Sequence, residues 1–438
     1  MTLQGRSPSP RPSAGRARPQ PSAHRTVRTL EVLIAGGLAA ALALGVLLAV
    51  RSGGGNRGSH RRVDLSVAAR LRAGHSKHPQ SSRASTGGSA SAGAGGGGLH
   101  AEVLSPAPGS TDVAPTATVT VRFSAPLTPG STMPTLDPAL QGSWEQVGSR
   151  TWRFTPTEAA VPLSTESVTV PAGITSSSGA ELSRAVTASW TVRNGSVLRL
   201  QQVLAELGYL TLTWTRTAPQ STASTGAAGA VSEMYDPPAG TFAWRYPNTP
   251  PQLEAAWKQG AFDRMTAGAM VAFEVKDGLP GYTSIRPIMW QTLLTAEADH
   301  TTNPEGYTYA LVSQALPETL TLWHDGVDVE TFTVNTGING RNTPVGNFFV
   351  YRRFISTTMS GENPNGTYYD DHGVRWVNYF DGGVAIHGFV RASYGFPQSL
   401  GCVELPLPDA EIAYEQWLHY GTLVTVEPEP AASKAASA

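Results

Sequence analysis

Cysteine is nearly absent: Cys402 is the only one in 438 residues. A single thiol excludes an intramolecular disulfide framework and any multi-thiolate zinc or iron–sulfur site. Charge is also scarce, with charged residues at 15% and a net charge of −1. That balance hides an asymmetry. Residues 1–100 hold thirteen Arg and one Lys against Glu31 and Asp64, a net +12, so the remainder carries −13. A basic head on an acidic body does not fit a nucleic-acid-binding protein, and no nucleic acid partner is expected. There is no Gly-rich phosphate loop, and neither Ser393 nor Ser399 sits in a Gly-x-Ser-x-Gly elbow. Asp370, Asp371 and His372 lack a spaced second histidine or a cysteine pair, so they are expected to form a polar cleft rim, not a metal site.

What is present is a chain long enough for roughly three domains. Its 10 Trp, 13 Tyr and 12 Phe exclude wholesale disorder. The 46 Gly and 33 Pro imply linkers or turn-rich β-structure. Residues 1–31 are expected to be a basic, disordered, cytoplasmic tail. Val32–Val50 is an unbroken stretch of Val, Leu, Ile, Ala and Gly. At 1.5 Å per residue it spans about 28 Å, close to the hydrocarbon thickness of a bilayer. It exceeds the usual apolar length of a cleaved signal, and no clear small-x-small site follows it, so a transmembrane signal anchor is expected. Residues 51–100, rich in Gly, Ser and Ala, read as a tether with a reach of about 40 Å.

Beyond the tether the hydrophobic period is two. Thr118–Phe123, Trp152–Phe154 and Ser167–Val170 alternate strictly, with turns at Pro106–Ser110, Pro129-Gly130 and Gly173, the pattern of a small β-sandwich over 101–194. At Asn194 the period changes. Leu200, Val203, Leu204 and Leu207 share a helical face, and further helices are expected near Thr266–Phe273 and Ile288–Leu294. Residues 306–426 return to strands, with one helix over Pro408–Leu418. The last residues, 428–438, are expected to be a disordered tail.

Cys402 lies in Ser399-Leu400-Gly401-Cys402-Val403. A lone exported cysteine is either buried and inert or a nucleophile. A glycine before it permits a tight turn that frees amide N–H groups toward a substrate. His387 stands 15 residues upstream, at the end of the strand-like run Val384–His387. A connection of that size can bring the two side by side, where a thiolate–imidazolium pair would be an activated nucleophile. The amides of Gly401 and Cys402 are candidate oxyanion donors.

These residues resemble the L,D-transpeptidase catalytic domain (YkuD-type), over about 305–427. The matching segments are His387-Gly388, Ser399-Leu400-Gly401-Cys402-Val403-Glu404, Asn335-Thr336-Gly337 and Thr343-Pro344-Val345-Gly346-Asn347-Phe348. Two positions depart: the family's second histidine is Leu400, and its Arg or Asn after Cys-Val is Glu404. The resemblance implies Cys402 as nucleophile, His387 as base, a Gly388 carbonyl that orients the imidazole, and Ser399 and Gly401 shaping the turn. Glu404 is expected on the substrate side, while Tyr368, Tyr369, Trp376 and Tyr379 are expected either to line the cleft, with Tyr379 and Trp376 toward the substrate, or equally to belong to the core. Ser105–Ser110 and Phe123–Leu127 resemble a bacterial immunoglobulin-like domain. Leu200-Gln201, Leu207-Gly208-Tyr209 and Thr266–Phe273 resemble a three-helix peptidoglycan-binding repeat over 195–300, interrupted by an insertion near Thr217–Gly260. Glycan binding and mere positioning weigh equally for that unit.

The expected fold class is multidomain and mainly β. It comprises an N-terminal transmembrane helix, an immunoglobulin-like β-sandwich, a small three-helix peptidoglycan-binding-like domain and a β-rich L,D-transpeptidase catalytic domain. The expected location is the cell membrane, with the body facing the cell wall. By the resemblance, the enzyme forms 3→3 peptidoglycan cross-links from stem peptides, needs no metal or organic cofactor, and is acylated by carbapenems. The alternatives are an L,D-carboxypeptidase, with water as acceptor, and a non-catalytic wall-binding scaffold.

Overall fold

The structure is a computed structural model that describes residues 98–217 and 226–430. The basic tail, the Val32–Val50 stretch, the tether and the C-terminal tail lie outside these residues. The expected transmembrane element of the fold class is therefore corrected. Among the described residues no helix is long and apolar enough to cross a membrane. The longest described helices have 13 residues, about 20 Å at 1.5 Å per residue, short of a bilayer core of about 30 Å.

The first part is a β-sandwich of β1 (Ala101–Ser105), β2 (Val119–Phe123), β3 (Thr135–Asp137), β4 (Gly142–Gly148), β5 (Thr151–Pro156), β6 (Thr165–Val170) and β7 (Val186–Thr191). One sheet has the order β1-β2-β5-β4 and the other β3-β6-β7. Alternation decides the packing: Val119, Val121 and Phe123 point inward and are buried against Val168, Val170 and Trp190.

The middle part departs from a three-helix unit. It has α1 (Val197–Glu206), β8 (Leu212–Arg216), α2 (Gly226–Glu233), β9 (Gly240–Trp244), α3 (Pro251–Ala255), α4 (Arg264–Lys276) and α5 (Pro287–Asp299). The insertion thus adds β9, which pairs antiparallel with β8, and two helices. Asp263 caps α4, its Oδ1 accepting from the Thr266 amide at 2.8 Å. The apolar face of α1, with Leu200, Val203 and Leu204 fully buried, enters a core that also holds Tyr309, Trp323 and Leu423 of the next domain. A helical unit that shares its core in this way is fixed to its neighbour.

The third part has two sheets. β10 (Thr308–Ser313), β11 (Thr319–His324), β12 (Val327–Thr333) and β13 (Gly346–Phe349) join the last strand, β18 (Leu423–Glu427), in the order β12-β11-β10-β18-β13. β14 (Arg352–Glu362), β15 (Tyr368–Asp381), β16 (Val384–Gly388) and β17 (Val403–Leu405) form the second sheet in that order. α6 (Leu407–Ile412) runs into a π-helical turn, Ala413–Trp417, and packs Ala410 and Ala413 into the core. The sheets bury Val312, Leu320, Val334, Ile386, Val403, Leu405 and Val424 between them. Val403 and Leu405 are completely buried. Each such side chain contributes about 1.5–3 kcal/mol, so the short strand that follows the cysteine is firmly held.

Candidate active site

Strands β16 and β17 are parallel, with Ile386 beside Val403, His387 beside Glu404 and Gly388 beside Leu405. Ile386, Val403 and Leu405 face the core, so period two turns Ala385, His387, Cys402 and Glu404 to the opposite face. The fold thereby brings His387 and Cys402 onto one face of neighbouring strands, offset by a single alternation. Tyr379, paired with Ala385, shares that face and packs with Cys402, Val374 and Val377.

His387 is buried at 3% exposure, and its Nδ1 is 3.1 Å from the Gly388 carbonyl oxygen. A carbonyl only accepts, so Nδ1 carries the proton and Nε2 keeps its lone pair. Burial holds the imidazole below its ordinary pKa, against smaller opposing contributions from the Gly388 carbonyl and Glu404. The half-buried thiol of Cys402 has its Sγ 4.0 Å from the Gly383 carbonyl oxygen. Burial pushes the thiol up to about 11; the Ala385 backbone lowers it and Glu404 adds a further rise. The resting pair is therefore neutral imidazole and neutral thiol, not the ion pair that the sequence suggested. The thiol's resting partners are the backbone groups of Gly383 and Ala385, at the start of β16.

The turn before the thiol is held from beneath. Ser399, 1% exposed, donates from Oγ to the Cys402 carbonyl at 2.6 Å and accepts from the Gly401 amide at 3.1 Å. That bond occupies the Gly401 N–H, so of the two expected oxyanion donors it leaves the Cys402 N–H. Gly401 has φ +119°, a conformation that other L residues rarely adopt. Thr343 donates to the Gly401 carbonyl at 2.9 Å and accepts from the Gly337 amide at 2.9 Å. Ser399 also bonds through its backbone to Thr336 and Ile338. Thr336 in turn gives its amide and hydroxyl to the two oxygens of Glu318, 2.6 Å each. Glu318 is wholly buried, and burial raises its pKa against those two bonds.

Sequence reading gave no role to Glu318, Thr336 or Thr343. Thr336 and Thr343 lay in segments matched to the family, but nothing in the sequence joined Glu318 to them. Arg391 was missed as well. Glu404, expected to face substrate, is buried at 4% and bound by both prongs of Arg391: Nε to Oε2 at 2.7 Å and Nη2 to Oε1 at 2.8 Å. Trp376, read as either cleft or core, is in the core. It lies where β15 bulges, with φ +60°, and its ring packs against Tyr414. Tyr369 takes a place beside Tyr379: burial raises both phenols, and the charge of Cys402 adds to each. Asp370 and His372 form an exposed pair at 3.4 Å.

Comparison with known proteins gives the class. Residues 307–426 match the family model of the L,D-transpeptidase catalytic domain (YkuD), and residues 98–192 match that of a bacterial Ig-like domain. The chain thus carries an L,D-transpeptidase catalytic domain behind an immunoglobulin-like one. No curated protein sequence matches it. Among solved structures it is similar to an L,D-transpeptidase from Mycobacterium smegmatis, at 14% identity over 75% of this chain and all of that one, with a TM-score of 0.25. L,D-transpeptidase 3 from Mycobacterium tuberculosis, in complex with a faropenem-derived adduct, is 14% identical over 76% of this chain and 98% of that one, TM-score 0.25. The catalytic domain of the E. faecium L,D-transpeptidase is 27% identical over 27% of this chain and 96% of that one, TM-score 0.25.

Proposed function

We propose that the protein forms 3→3 peptidoglycan cross-links through a Cys402 acyl-enzyme, with His387 as the base, working outside the cytoplasm against the cell wall. The observation that carries this reading is the placement of Cys402 and His387 on one face of adjacent strands, within the region that matches the L,D-transpeptidase catalytic family. Nε2 of His387 takes the thiol proton as sulfur attacks the carbonyl between the third and fourth residues of a donor tetrapeptide stem. The oxyanion meets the Cys402 N–H, a donor of the kind worth about 3 kcal/mol in the barrier. The C–N bond breaks, His387 returns its proton to the leaving amine, and D-alanine departs from the thioester. A side-chain amine of a neighbouring stem then attacks the thioester. It loses a proton to His387, the C–S bond breaks, and the thiolate takes that proton back.

Tyr379 and Tyr369 flank the thiol and form the wall against which the stem lies. β-Lactams of the carbapenem type would acylate the same sulfur, since their strained amide is attacked as the stem amide is. The test is incubation with purified disaccharide-tetrapeptide and mass analysis of products. A dimer one D-alanine lighter than two monomers is expected. Release of D-alanine with tripeptide monomer alone would assign water as acceptor and make the enzyme an L,D-carboxypeptidase.

A further inference from the structure

The geometry points to Arg391 as a positioning residue for the Cys402–His387 pair: it clamps and neutralises the Glu404 carboxylate, which otherwise stands unpaired beside both reacting groups. Glu404 lies next to His387 in the parallel ladder and two residues after Cys402, on the same face of β17. It is the only side chain of β17 that carries charge. Its backbone is also fixed, exchanging two hydrogen bonds with Asn335 at 2.9 and 3.0 Å. The carboxylate therefore has little freedom to turn away from the site. The fork of Arg391 meets both oxygens, the strongest geometry for such a pair.

Arg391 does this from the loop that follows His387-Gly388, and the loop is built around it. Its guanidinium lies over the Phe389 ring at 4.6 Å, and that ring meets the His387 imidazole edge-on at 6.0 Å. The Arg391 amide donates to the Tyr394 hydroxyl at 3.1 Å, which donates to the Phe389 carbonyl at 2.6 Å. One side chain thus sets the charge beside the imidazole and the wall against it. The charged groups acting on His387 are Glu404 from β17, Arg391 from the loop and Asp371 from β15. The charged side chain acting on the thiol is Glu404, and the thiol in turn acts on the phenols of Tyr369 and Tyr379. Arg391 is the one cation in either set. Removing it leaves a buried, uncompensated carboxylate, which disfavours the thiolate.

The proposal rests on the reading of Cys402 and His387 as the reacting pair. Its test, alkylation of Cys402 by iodoacetamide in the full-length chain, needs no stem peptide, so a failure of the transpeptidase reading leaves it standing. Rates are measured between pH 7 and 10 for wild type, Arg391→Met, Glu404→Gln and the double variant, with urea unfolding run on each. Arg391→Met is expected to slow alkylation about 10-fold at fixed pH, a displacement of about one pH unit upward. Glu404→Gln, which leaves the guanidinium unopposed, displaces the profile downward. The double variant returns to within about 2-fold of wild type, because both charges are gone. A merely structural clamp would move both single variants in the same direction and would not be rescued by the second substitution. Should Arg391→Met fail to fold, Arg391→Lys keeps the charge without the fork and should hold the wild-type profile. Superimposed profiles for wild type and Arg391→Met, shifts of the same sign in both single variants, or a double variant as displaced as Arg391→Met would each overturn the proposal.

Discussion

If the thiol of Cys402 rests neutral, its reactivity must depend steeply on pH. Burial pushes the thiol up to about 11 and holds the His387 imidazole below its ordinary range. At pH 7 a thiol of that pKa is ionised in about one molecule in 10⁴. Reaction with iodoacetamide, which takes only the thiolate, should therefore rise about 10-fold per pH unit from 7 to 10 without levelling. A preformed thiolate–imidazolium pair would behave oppositely, with a rate already flat across pH 7–9. His387→Ala sharpens the comparison. The resting thiol bonds to backbone rather than to the imidazole, so alkylation should change by less than about 3-fold. Transpeptidation, which needs a base as the bond forms, should fall by about 10²–10⁴-fold. A flat alkylation profile in wild type, or a loss of alkylation matching the loss of transpeptidation in His387→Ala, would refute the neutral resting pair.

Ser399→Ala removes one buried hydroxyl that serves both the Cys402 carbonyl and the Gly401 amide; the two orphaned groups should cost about 2–4 kcal/mol in urea unfolding, and a loss below about 0.5 kcal/mol would show that the turn does not depend on it. Glu166 and Glu274 are buried, each has one oxygen without a partner among the described residues, and burial raises both to about 7. The folded chain then holds more protons than the unfolded one between pH 4.5 and 7. Stability should fall as pH rises through that window, by up to about 1.4 kcal/mol per unit for each group. Glu166→Gln and Glu274→Gln should each flatten the dependence of the urea midpoint on pH, and an unchanged slope in both would contradict the assignment.

Much of the fold was legible where one face of a strand is buried. Val119, Val121 and Phe123 alternate because their neighbours face solvent, and the strands around Thr308–Ser313 and Leu423–Glu427 announce themselves by apolar content. The β14–β15 hairpin did not. Its outer half, through Thr357–Tyr369, is mostly polar, with one face exposed and the other only half-buried, so no apolar period marks it. The three helices α1, α4 and α5 were readable from their apolar stripes, and β9 from the run Thr241–Tyr246, while α2 and α3 fell in a stretch without a clear repeat.

At the site, Cys402 and His387 stood out because a lone thiol after glycine and a strand-end histidine are chemically conspicuous. Their supports did not, since Glu318 reaches Thr336 only through the fold and Arg391 reaches Glu404 across a loop. Glu404 itself was placed on the correct face by period two, but sequence gave no sign that its charge was already paired. Trp376 stayed open between cleft and core on aromatic character alone, and a bulge in β15 at that point keeps its side from being counted along the sequence.

The central claim is that Cys402 carries the acyl group. Intact mass of the full-length protein, taken during incubation with disaccharide-tetrapeptide, measures it directly. The wild type is expected to gain the mass of the donor less D-alanine, and His387→Ala should gain it far more slowly. Cys402→Ala should gain nothing while unfolding at nearly the same urea concentration. An unmodified wild type that still produces cross-linked dimer, or an adduct that persists on Cys402→Ala, would contradict the account.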